Sequence, residues 1–392
     1  MKIQFTEAFP HTLITIAASV VSGALAGAAA GWMYAAVPYQ MPFSAPPSRH
    51  MSVATSTTTQ TPTTVVPKVE VVSVDRKPSE PIVPPAFTSR RVSSVAGIYR
   101  RSATSPVLSD AQLLGQAVAV TTDGWFVTAA SAIDGMKLGE IVLWHDGVAA
   151  TATRGILDER SSVVFLKADY TNLTAPAFAR YEDITAGVPV WIERRAGSFE
   201  PANIALLHGE VGDLKGVPSS VAARRPTVTS LTQVGDVGSP VWDTNGTLIG
   251  IASGKPGGTF PFIPSSAWAP SLYGIFSDGK ILHADIGVRT VDLASLRLMN
   301  RRSDLPLLGA WVVTDQSTKT VIASGVSDAT TVLPGDVITR VDRDILDGTA
   351  DLGEVLVQYK PGSHVTLTVD RAGKILEIPV TLGSLQVSKE LK

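Results

Sequence analysis

The sequence predicts a mainly β protein whose chain folds into two domains. Short runs of β-branched and aromatic residues recur from about residue 91 onward, and turn residues bound each run. Asp-Gly or Asn-Gly pairs at 123–124, 146–147 and 245–246 are typical of tight hairpins between such runs. The 33 glycines and 26 prolines favour strands and turns over a long helical bundle. A chain of 392 residues has room for two or three domains.

The predicted elements form an all-β first domain, 91–275, and a smaller mixed α+β domain, 276–385, which a tail at 386–392 follows. The second domain contains an amphipathic helix at 351–358 and a hairpin around 371–373. The main predicted strands are 116–121, 125–128, 140–144, 163–167, 188–193, 247–252, 311–314 and 364–370.

Composition excludes several classes of function. The formal net charge is −2 and no block of Lys or Arg stands out, so we expect no nucleic-acid partner. The absence of cysteine removes disulfides, cysteine-ligated zinc and thiol catalysis. No cluster of His, Asp and Glu has the spacing of metal ligands, so the sequence predicts neither a metal nor a cofactor.

The N-terminal part contains an apolar run, 13–38, without a charged side chain. The run is longer than the roughly 20 residues that cross a bilayer as a helix. We therefore predict a cytoplasmic stub, 1–11, and a single transmembrane anchor, 12–38, with the bulk of the chain outside the cytoplasm. A cleaved signal peptide ending near the alanines at 28–30 is the alternative, and it exports the rest of the chain equally.

Residues 39–90 are rich in Pro, Thr and Ser and show no helical or strand periodicity. Such a segment buries too little apolar area to offset the entropy of ordering it. We predict a disordered linker that holds the folded domains away from the membrane.

Three stretches of the first domain resemble the HtrA/Deg family of trypsin-like serine proteases. They are GQAVAVTTDGWFVTAASAI (115–133), DERSSVVFLK (158–167) and GDVGSPVWDTNGTLIGI (235–251). In the family these stretches carry the catalytic histidine, aspartate and serine respectively, and their order and separation fit. The resemblance implies a trypsin-like double β-barrel and, from family members, a trimeric assembly.

The same resemblance implies a degenerate catalytic triad. Ser131 stands at the histidine position, Ser162 at the aspartate position and Val237 at the serine position. A triad needs a nucleophile, an imidazole base and an orienting carboxylate, and all three roles are vacant. Gly235 retains the start of the oxyanion-hole loop. We expect the side chain of Val237 to pack and partly close the cleft.

Other residues offer no obvious replacement for the triad. Ser239 lies two residues beyond the nucleophile position but needs a base of its own. His145 is interpreted as a solvated hairpin residue and His208 as a surface or packed histidine. The neighbouring acidic pairs at 158–159 and 182–183 are interpreted as turn and loop charges. An active serine endopeptidase with a non-standard site remains the alternative.

Residues 332–383 resemble the PDZ domain that follows the protease in this family. The family's carboxylate-binding loop matches Asp285, Ile286, Gly287 and Val288, with Asp285 in place of an aromatic residue. The resemblance implies that a peptide adds as a strand to a sheet edge while backbone N–H groups hold its C-terminal carboxylate. Asp285 would weaken that binding if its charge points inward. A PDZ domain that serves only as a spacer is the alternative.

These observations together predict a membrane-anchored HtrA-like protein of the bacterial envelope. Its expected partners are proteins or peptides, bound by their C-terminal tails through the PDZ domain. The expected role is that of a non-catalytic scaffold or quality-control factor, with an active endopeptidase or a purely structural envelope protein as alternatives.

Overall fold

The computed structural model describes residues 94–102, 106–209, 214–296, 305–314, 332–386 and 388–392. The predicted anchor and linker lie outside these residues. Within the described ranges, no helix has both the length and the apolar character needed to span a membrane.

The first half of the trypsin-like region is an antiparallel sheet of eight strands. Its order is β23-β6-β7-β3-β2-β1-β4-β5. Alanine and aliphatic side chains make up most of its core, in which Phe126 and Leu166 are fully buried. The strands are β1 (Val95–Arg100), β2 (Leu113–Ala119), β3 (Trp125–Ala129), β4 (Ile141–His145), β5 (Val148–Thr151), β6 (Arg154–Asp158), β7 (Val163–Lys167) and β23 (Ser388–Glu390).

The second half is a closed six-stranded barrel with the order β11-β14-β13-β12-β8-β9. Ile192, Val241, Phe260 and Phe262 fill its interior and are fully buried. The strands are β8 (Pro189–Arg194), β9 (Ser198–Leu206), β11 (Thr227–Leu231), β12 (Pro240–Trp242), β13 (Leu248–Ala252) and β14 (Thr259–Pro264). The short strand β10 (Val217–Pro218) lies between β9 and β11 in the chain but belongs to another sheet.

The C-terminal domain has a sheet with the order β10-β16-β17-β18-β20-β21, with β19 beside β18, and a separate β15-β22 pair. Two helices accompany these strands, α1 (Ser271–Asp278) and α2 (Leu352–Leu356). The strands are β15 (Leu282–Asp285), β16 (Arg289–Asp292), β17 (Ala310–Val313), β18 (Val337–Val341), β19 (Asp344–Ile345), β20 (His364–Arg371), β21 (Lys374–Thr381) and β22 (Gly383–Gln386).

The strand and hairpin predictions are confirmed, with small shifts of the strand ends. Strand β7 has the bounds predicted for 163–167. In the β20–β21 hairpin, Ala372 and Gly373 have φ values of 52° and 84°, as a two-residue primed turn requires. The predicted helix at 351–358 is shorter and spans Leu352–Leu356. Asp351 is its N-cap, and the side chain accepts a hydrogen bond from Glu354 N at 2.8 Å.

Two features cross the domain limits that the sequence predicts. Helix α1 spans the expected boundary between 275 and 276, and its Leu272 and Ile275 pack into the trypsin-like core. The expected tail contains β23, which returns to the first sheet and pairs with β6. An ion pair between Arg154 and Glu390, at 2.7 Å, lies beside this pairing. Strand β23 is therefore part of the first domain's sheet, held there by backbone hydrogen bonds and an ion pair.

Candidate functional site

The loops that carry Ser131 and Ser162 lie next to each other at the end of the first sheet. Ser131 is exposed in the 3-10 turn Ala130–Ala132, directly after β3. Ser162 precedes β7 and has a φ of 63°, an uncommon conformation for a non-glycine residue. Ala130 N donates a hydrogen bond to Ser162 O at 2.9 Å, which joins the two loops.

The hydroxyl of Ser162 contacts a cation. Arg225 Nη2 donates to Ser162 Oγ at 3.3 Å, and its Nη1 donates to the carbonyls of Ala222 and Arg224. A guanidinium carries only donors and stays protonated in proteins, so it can neither orient an imidazole as a carboxylate does nor accept a proton. The aspartate position therefore combines a hydroxyl with a fixed positive charge.

Val237 fills the third position with packed apolar surface. Its half-buried side chain packs against the core of the first sheet and against the cluster between sheet and barrel. Its carbonyl accepts a hydrogen bond from Gln116 N at 2.7 Å. The expectation that this side chain packs is confirmed. The next residue, Gly238, has a φ of 82°, and a Cβ there would lie 1.9 Å from Gln116 O.

The loop from Gly235 to Val237 is held by a buried aspartate. Gly235 has a φ of 85°, the left-handed conformation that glycine adopts without strain. Asp236 is buried, forms an ion pair with Arg194 and accepts from Gln233 N at 2.6 Å. This network keeps the loop in place although no nucleophile is presented from it.

Ser239, the candidate replacement nucleophile, is completely buried. Gln116 Nε2 donates a hydrogen bond to its Oγ. Among the described residues no histidine contacts this hydroxyl. A serine hydroxyl becomes a nucleophile when a neighbouring base takes its proton, and the partner of this hydroxyl is an amide, which is not a base.

The two histidines of the first domain, His145 and His208, contact groups outside the triad positions. His145 is half-buried, not solvated as the sequence suggested, and its Nδ1 lies 2.9 Å from Val95 O. His208 is packed against the C-terminal domain: its Nε2 lies 2.8 Å from Gly348 O and its Nδ1 3.0 Å from Asp292. This agrees with its interpretation as a packed histidine.

A buried cluster that the sequence did not indicate brings serine, histidine and aspartate together. His283 Nε2 lies 3.0 Å from Asp158 Oδ2, and Ser161 Oγ donates to the same oxygen at 2.6 Å. Ser271 Oγ also donates to it, at 3.3 Å. In a catalytic triad the three groups bond in series, whereas here every donor converges on one carboxyl group. Burial raises the pKa of Asp158, but the bonds from His283 and Ser161 outweigh it and hold that pKa below its usual value.

This Asp158 cluster connects the two domains, since Asp158 ends β6 and His283 lies in β15. The residues are 125 positions apart. Asp158 belongs to the stretch that resembles the aspartate segment, but its interpretation as a turn or loop charge was wrong, because it lies in β6 and is completely buried. No sequence signal could have paired them.

The residues predicted to bind a carboxylate lie where β15 turns into β16: Asp285 ends β15, and Ile286, Gly287 and Val288 form the connection. Asp285, Ile286, Gly287 and Val288 are all buried, and Gly287 has a φ of 81°. Asp285 points into the loop, where its Oδ1 accepts from Gly287 N at 2.7 Å. The N–H group of Gly287, which could hold a ligand carboxylate, is thus paired with the loop's own side chain.

Residues 216–225, here called the groove segment, lie along the open edge of β16. Strand β10 within this segment pairs antiparallel to β16, with Val217 opposite Thr290. Ser219 N continues the pairing by donating to Val288 O at 2.9 Å. Ser219 Oγ accepts from Ile286 N at 3.1 Å and donates to the carboxyl of Asp285.

The groove segment then passes over the N-terminus of α2, on the opposite wall of the groove. The backbone N–H groups of Ala223 and Arg224 both donate to Asp351 Oδ2 at 2.6 Å. Arg224 also forms a bidentate ion pair with Glu354, at 2.7 and 2.8 Å, in which both side chains are almost fully buried. Burial and the neighbouring Glu354 raise the pKa of Asp351 to about 6.

A cavity of about 180 Å³ remains beside the groove segment. Arg224 Nη1 is buried there, and no described residue accepts a hydrogen bond from it. The lining includes His208, Val221, Arg224, Thr290, Asp292 and Leu352.

Known families match both regions of this geometry. Residues 115–251 match the trypsin-like peptidase domain, and residues 284–382 match the PDZ domain. The fold and the two sites therefore define a trypsin-like domain joined to a PDZ domain.

Curated relatives share this arrangement. The "Probable periplasmic serine endoprotease DegP-like" of Rhizobium meliloti (strain 1021) is 25% identical over 287 residues, covering 69% of this chain and 53% of that protein. The protein of the same description from Brucella suis biovar 1 (strain 1330) is 30% identical over 166 residues, covering 40% of this chain and 30% of that protein. The chain thus spans about half the length, or less, of these curated relatives.

Among solved structures, the "HtrA-type protease AlgW with tripeptide" superposes with a TM-score of 0.50 at 22% identity, covering 76% of this chain and 96% of that one. This likeness shows a shared fold. The two domain matches and the curated relatives show a trypsin-like domain followed by a C-terminal PDZ domain, the combination found in the HtrA-type proteins that the chain is similar to.

Proposed function

We propose that this chain is a non-catalytic HtrA-like protein that binds protein segments through its PDZ domain. The observation that carries the proposal is the set of side chains at the triad positions, Ser131, Ser162 and Val237. We further propose that the protein serves as a scaffold or quality-control factor of the cell envelope.

The chemistry of these three positions supports the absence of peptide hydrolysis. Val237 has no hydroxyl to attack a carbonyl. The hydroxyl of Ser131 does not titrate near neutral pH, so it cannot act as a general base. Ser162 has no carboxylate to orient a base, and its hydroxyl contacts Arg225. Losing a nucleophile and its base removes about six orders of magnitude of rate in a triad enzyme.

The proposed location rests on the N-terminal sequence and on the relatives. The apolar run 13–38 is long enough for a single membrane-spanning helix, and the curated relatives are described as periplasmic. We propose a membrane anchor with the two domains outside the cytoplasm. Assembly as a trimer is proposed from the resemblance alone.

Peptide binding is supported by the retained PDZ architecture. The loop at 285–288 precedes β16, α2 forms the opposite wall, and a short strand already pairs with β16. A sheet edge beside a helix is the geometry that binds extended peptides. The similar AlgW structure contains a tripeptide.

An activity-based probe tests the proposed loss of catalysis. The purified chain is incubated with unfolded casein and with a fluorophosphonate, with trypsin as the positive control. We expect no casein fragments and no labelled serine. Labelling that disappears in the Ser239→Ala variant would instead establish the alternative, an endopeptidase with a non-standard site.

A substitution in the PDZ loop tests the binding role. Gly287 has a φ of 81°, so Gly287→Leu introduces both strain and bulk beside β16. The control is Gly373→Leu, because Gly373 has a similar φ of 84° in a distant hairpin with open space around it. We expect peptide-array binding to be lost only in the first variant. Equal binding by both variants would leave the PDZ domain as a spacer.

A further inference from the structure

The PDZ groove of this protein is already occupied by its own chain. We propose that the groove segment, residues 216–225, is an internal ligand that closes the PDZ groove, so that an external segment binds only by displacing it. This inference rests on the proposed peptide-binding function. It specifies which kind of peptide the groove recognises and how the groove segment regulates access to it.

The contacts along β16 are those of a bound strand. Val217 lies opposite Thr290 and Pro218 opposite Arg289, in antiparallel register. Ser219 N donates to Val288 O at 2.9 Å. Strand addition to a PDZ edge uses the same backbone groups, so an external strand and the groove segment cannot occupy this edge together.

The end of the groove recognises hydroxyl groups in place of a chain terminus. Asp285 accepts hydrogen bonds from the hydroxyls of Ser219 and Ser220, the latter at 3.0 Å. The loop N–H groups are paired as well, that of Ile286 with Ser219 Oγ and that of Gly287 with Asp285. A terminal carboxylate placed here would face the carboxyl of Asp285 and find these donors taken. The preferred ligand is therefore an internal strand with hydroxyl side chains, not a C-terminal tail.

The far end of the groove segment is anchored to α2 by charge. Arg224 pairs with Glu354, and Asp351 accepts from the backbone of the segment. Gly353 lets the segment approach, because a Cβ there would lie 2.1 Å from Val221 O. The helix thus matches the segment in both shape and charge.

The groove segment also contacts the degenerate triad. Arg225 follows Arg224 directly and donates to Ser162 Oγ at 3.3 Å. Displacing the segment from the PDZ groove would withdraw Arg225 from Ser162. Occupation of the groove by an external strand is thereby coupled to the loops at the former catalytic site.

Disulfide trapping tests whether the segment occupies the groove in solution. The chain has no cysteine, so a Val217→Cys/Thr290→Cys pair is the only thiol pair present. Directly opposed antiparallel residues have Cα atoms about 5.5 Å apart, within the range of a disulfide. The control pair is Val217→Cys/Glu377→Cys, because Glu377 is exposed on β21. We expect rapid crosslinking of the first pair only, and equal rates for both pairs would overturn the inference.

Peptide binding tests the competition. A fluorescent peptide with the sequence of residues 214–225, capped at both ends, is titrated into the full chain while its anisotropy is followed. The Ser219→Ala/Ser220→Ala variant loosens the internal segment while the peptide keeps both hydroxyls. We expect this variant to bind about tenfold more tightly than the unmodified chain, because two hydrogen bonds of the competitor are gone. The control is Ser277→Ala, whose exposed hydroxyl lies on α1.

The crosslinked Val217→Cys/Thr290→Cys form tests the opposite situation, in which a disulfide keeps the groove segment in the groove. We expect it to bind the peptide at least about tenfold more weakly than the same protein after reduction. Equal binding by the crosslinked and reduced forms would overturn the inference while leaving peptide binding intact. Efficient crosslinking with no binding by any variant would support closure by the segment and contradict the proposed peptide-binding function.

A capped peptide and the same peptide with a free C-terminal carboxylate separate the two ligand chemistries. Tighter binding of the capped form is expected from Asp285, whereas tighter binding of the free carboxylate would overturn the internal-strand specificity. Thermal unfolding of the serine variant shows whether it is folded, and the crosslinked protein tests the inference independently of that variant.

Discussion

The triad cleft and the PDZ groove have departed from their family pattern in different ways. In the cleft the backbone loops are retained and held by Asp236, while the side chains that perform chemistry are replaced. In the groove the recognition geometry is retained, and a segment of the same chain occupies it. A catalytic site depends on a few titratable side chains, whereas strand addition depends on backbone groups that any sequence supplies. We therefore propose that substitution removes the first function and only redirects the second.

The largest expected effect is at the buried ion pair that anchors the groove segment. Arg224→Ala leaves Glu354 buried without its partner, which should cost about 3–5 kcal/mol of unfolding free energy. Chemical denaturation measures this difference. The control Arg180→Ala removes the exposed pair with Glu182 and should leave the free energy of unfolding nearly unchanged, because solvent screens that pair. Similar losses in both variants would show that the groove segment is not anchored at Arg224.

A glycine substitution tests whether the cleft loop is held as firmly as the groove segment. Gly238→Ala places a Cβ 1.9 Å from Gln116 O at a φ of 82° and should cost about 3 kcal/mol. The matched control is Gly257→Ala, which has a φ of 83° but open space around it, and should cost about 1 kcal/mol. Urea unfolding measures the loss of unfolding free energy in both variants. Equal losses would show that the cleft loop is mobile and not firmly held.

A half-buried carboxyl in the barrel, that of Glu193 in β8, makes stability depend on pH. Burial raises the pKa of Glu193 to about 7. The hydrogen bond that its carboxyl accepts from Trp242 Nε1 lowers this pKa, but by less than burial raises it. The folded state therefore holds a proton that the unfolded chain releases near pH 4.5, and stability falls as pH rises from about 4.5 to 7.

Glu193→Gln removes this titration and keeps an oxygen that can accept from Trp242. We expect the variant to match the unmodified chain at pH 4 and to exceed it by about 2 kcal/mol at pH 8. Thermal unfolding across this pH range gives the comparison, with the exposed Glu377→Gln as control. A constant difference at all pH values would refute the proposed titration.

The smallest expected effect concerns the packing of Val237 in the cleft. Val237→Ala removes two methyl groups that contact both neighbouring clusters and should cost about 1–2 kcal/mol. Val234→Ala, whose side chain is 80% exposed, should be neutral. If both changes are neutral, the cleft is open at Val237 rather than partly closed.

Local sequence patterns predicted the strands and hairpins well, because alternation and turn residues act over a few positions. Ala372 and Gly373 adopt the turn that their types favour, and β7 has the predicted bounds. Helix α2 was predicted too long at both ends: Asp351 is its N-cap rather than a helical residue, and the helix ends at Leu356.

The candidate site was predictable only in part. Ser131, Ser162 and Val237 lie in the loops where the resemblance placed them, and residues 285–288 form the expected loop. The cluster of Asp158 and His283 and the occupation of β16 by the groove segment were not predicted. Their partners lie far apart in the chain, and no short-range pattern encodes such pairings.

The sequence by itself determined the β architecture and the order of the two domains, since these follow from residue types at short spacing, and it carries the residues Ser131, Ser162 and Val237 from which we propose the loss of the triad. Only the tertiary structure decided that β23 pairs with β6, that His283, Ser161 and Ser271 converge on Asp158, and that the groove segment pairs with β16. The physical reason is that burial and pairing between distant segments depend on which surfaces meet, and one buried carboxyl such as Asp285 takes its role from whatever donors the fold brings to it.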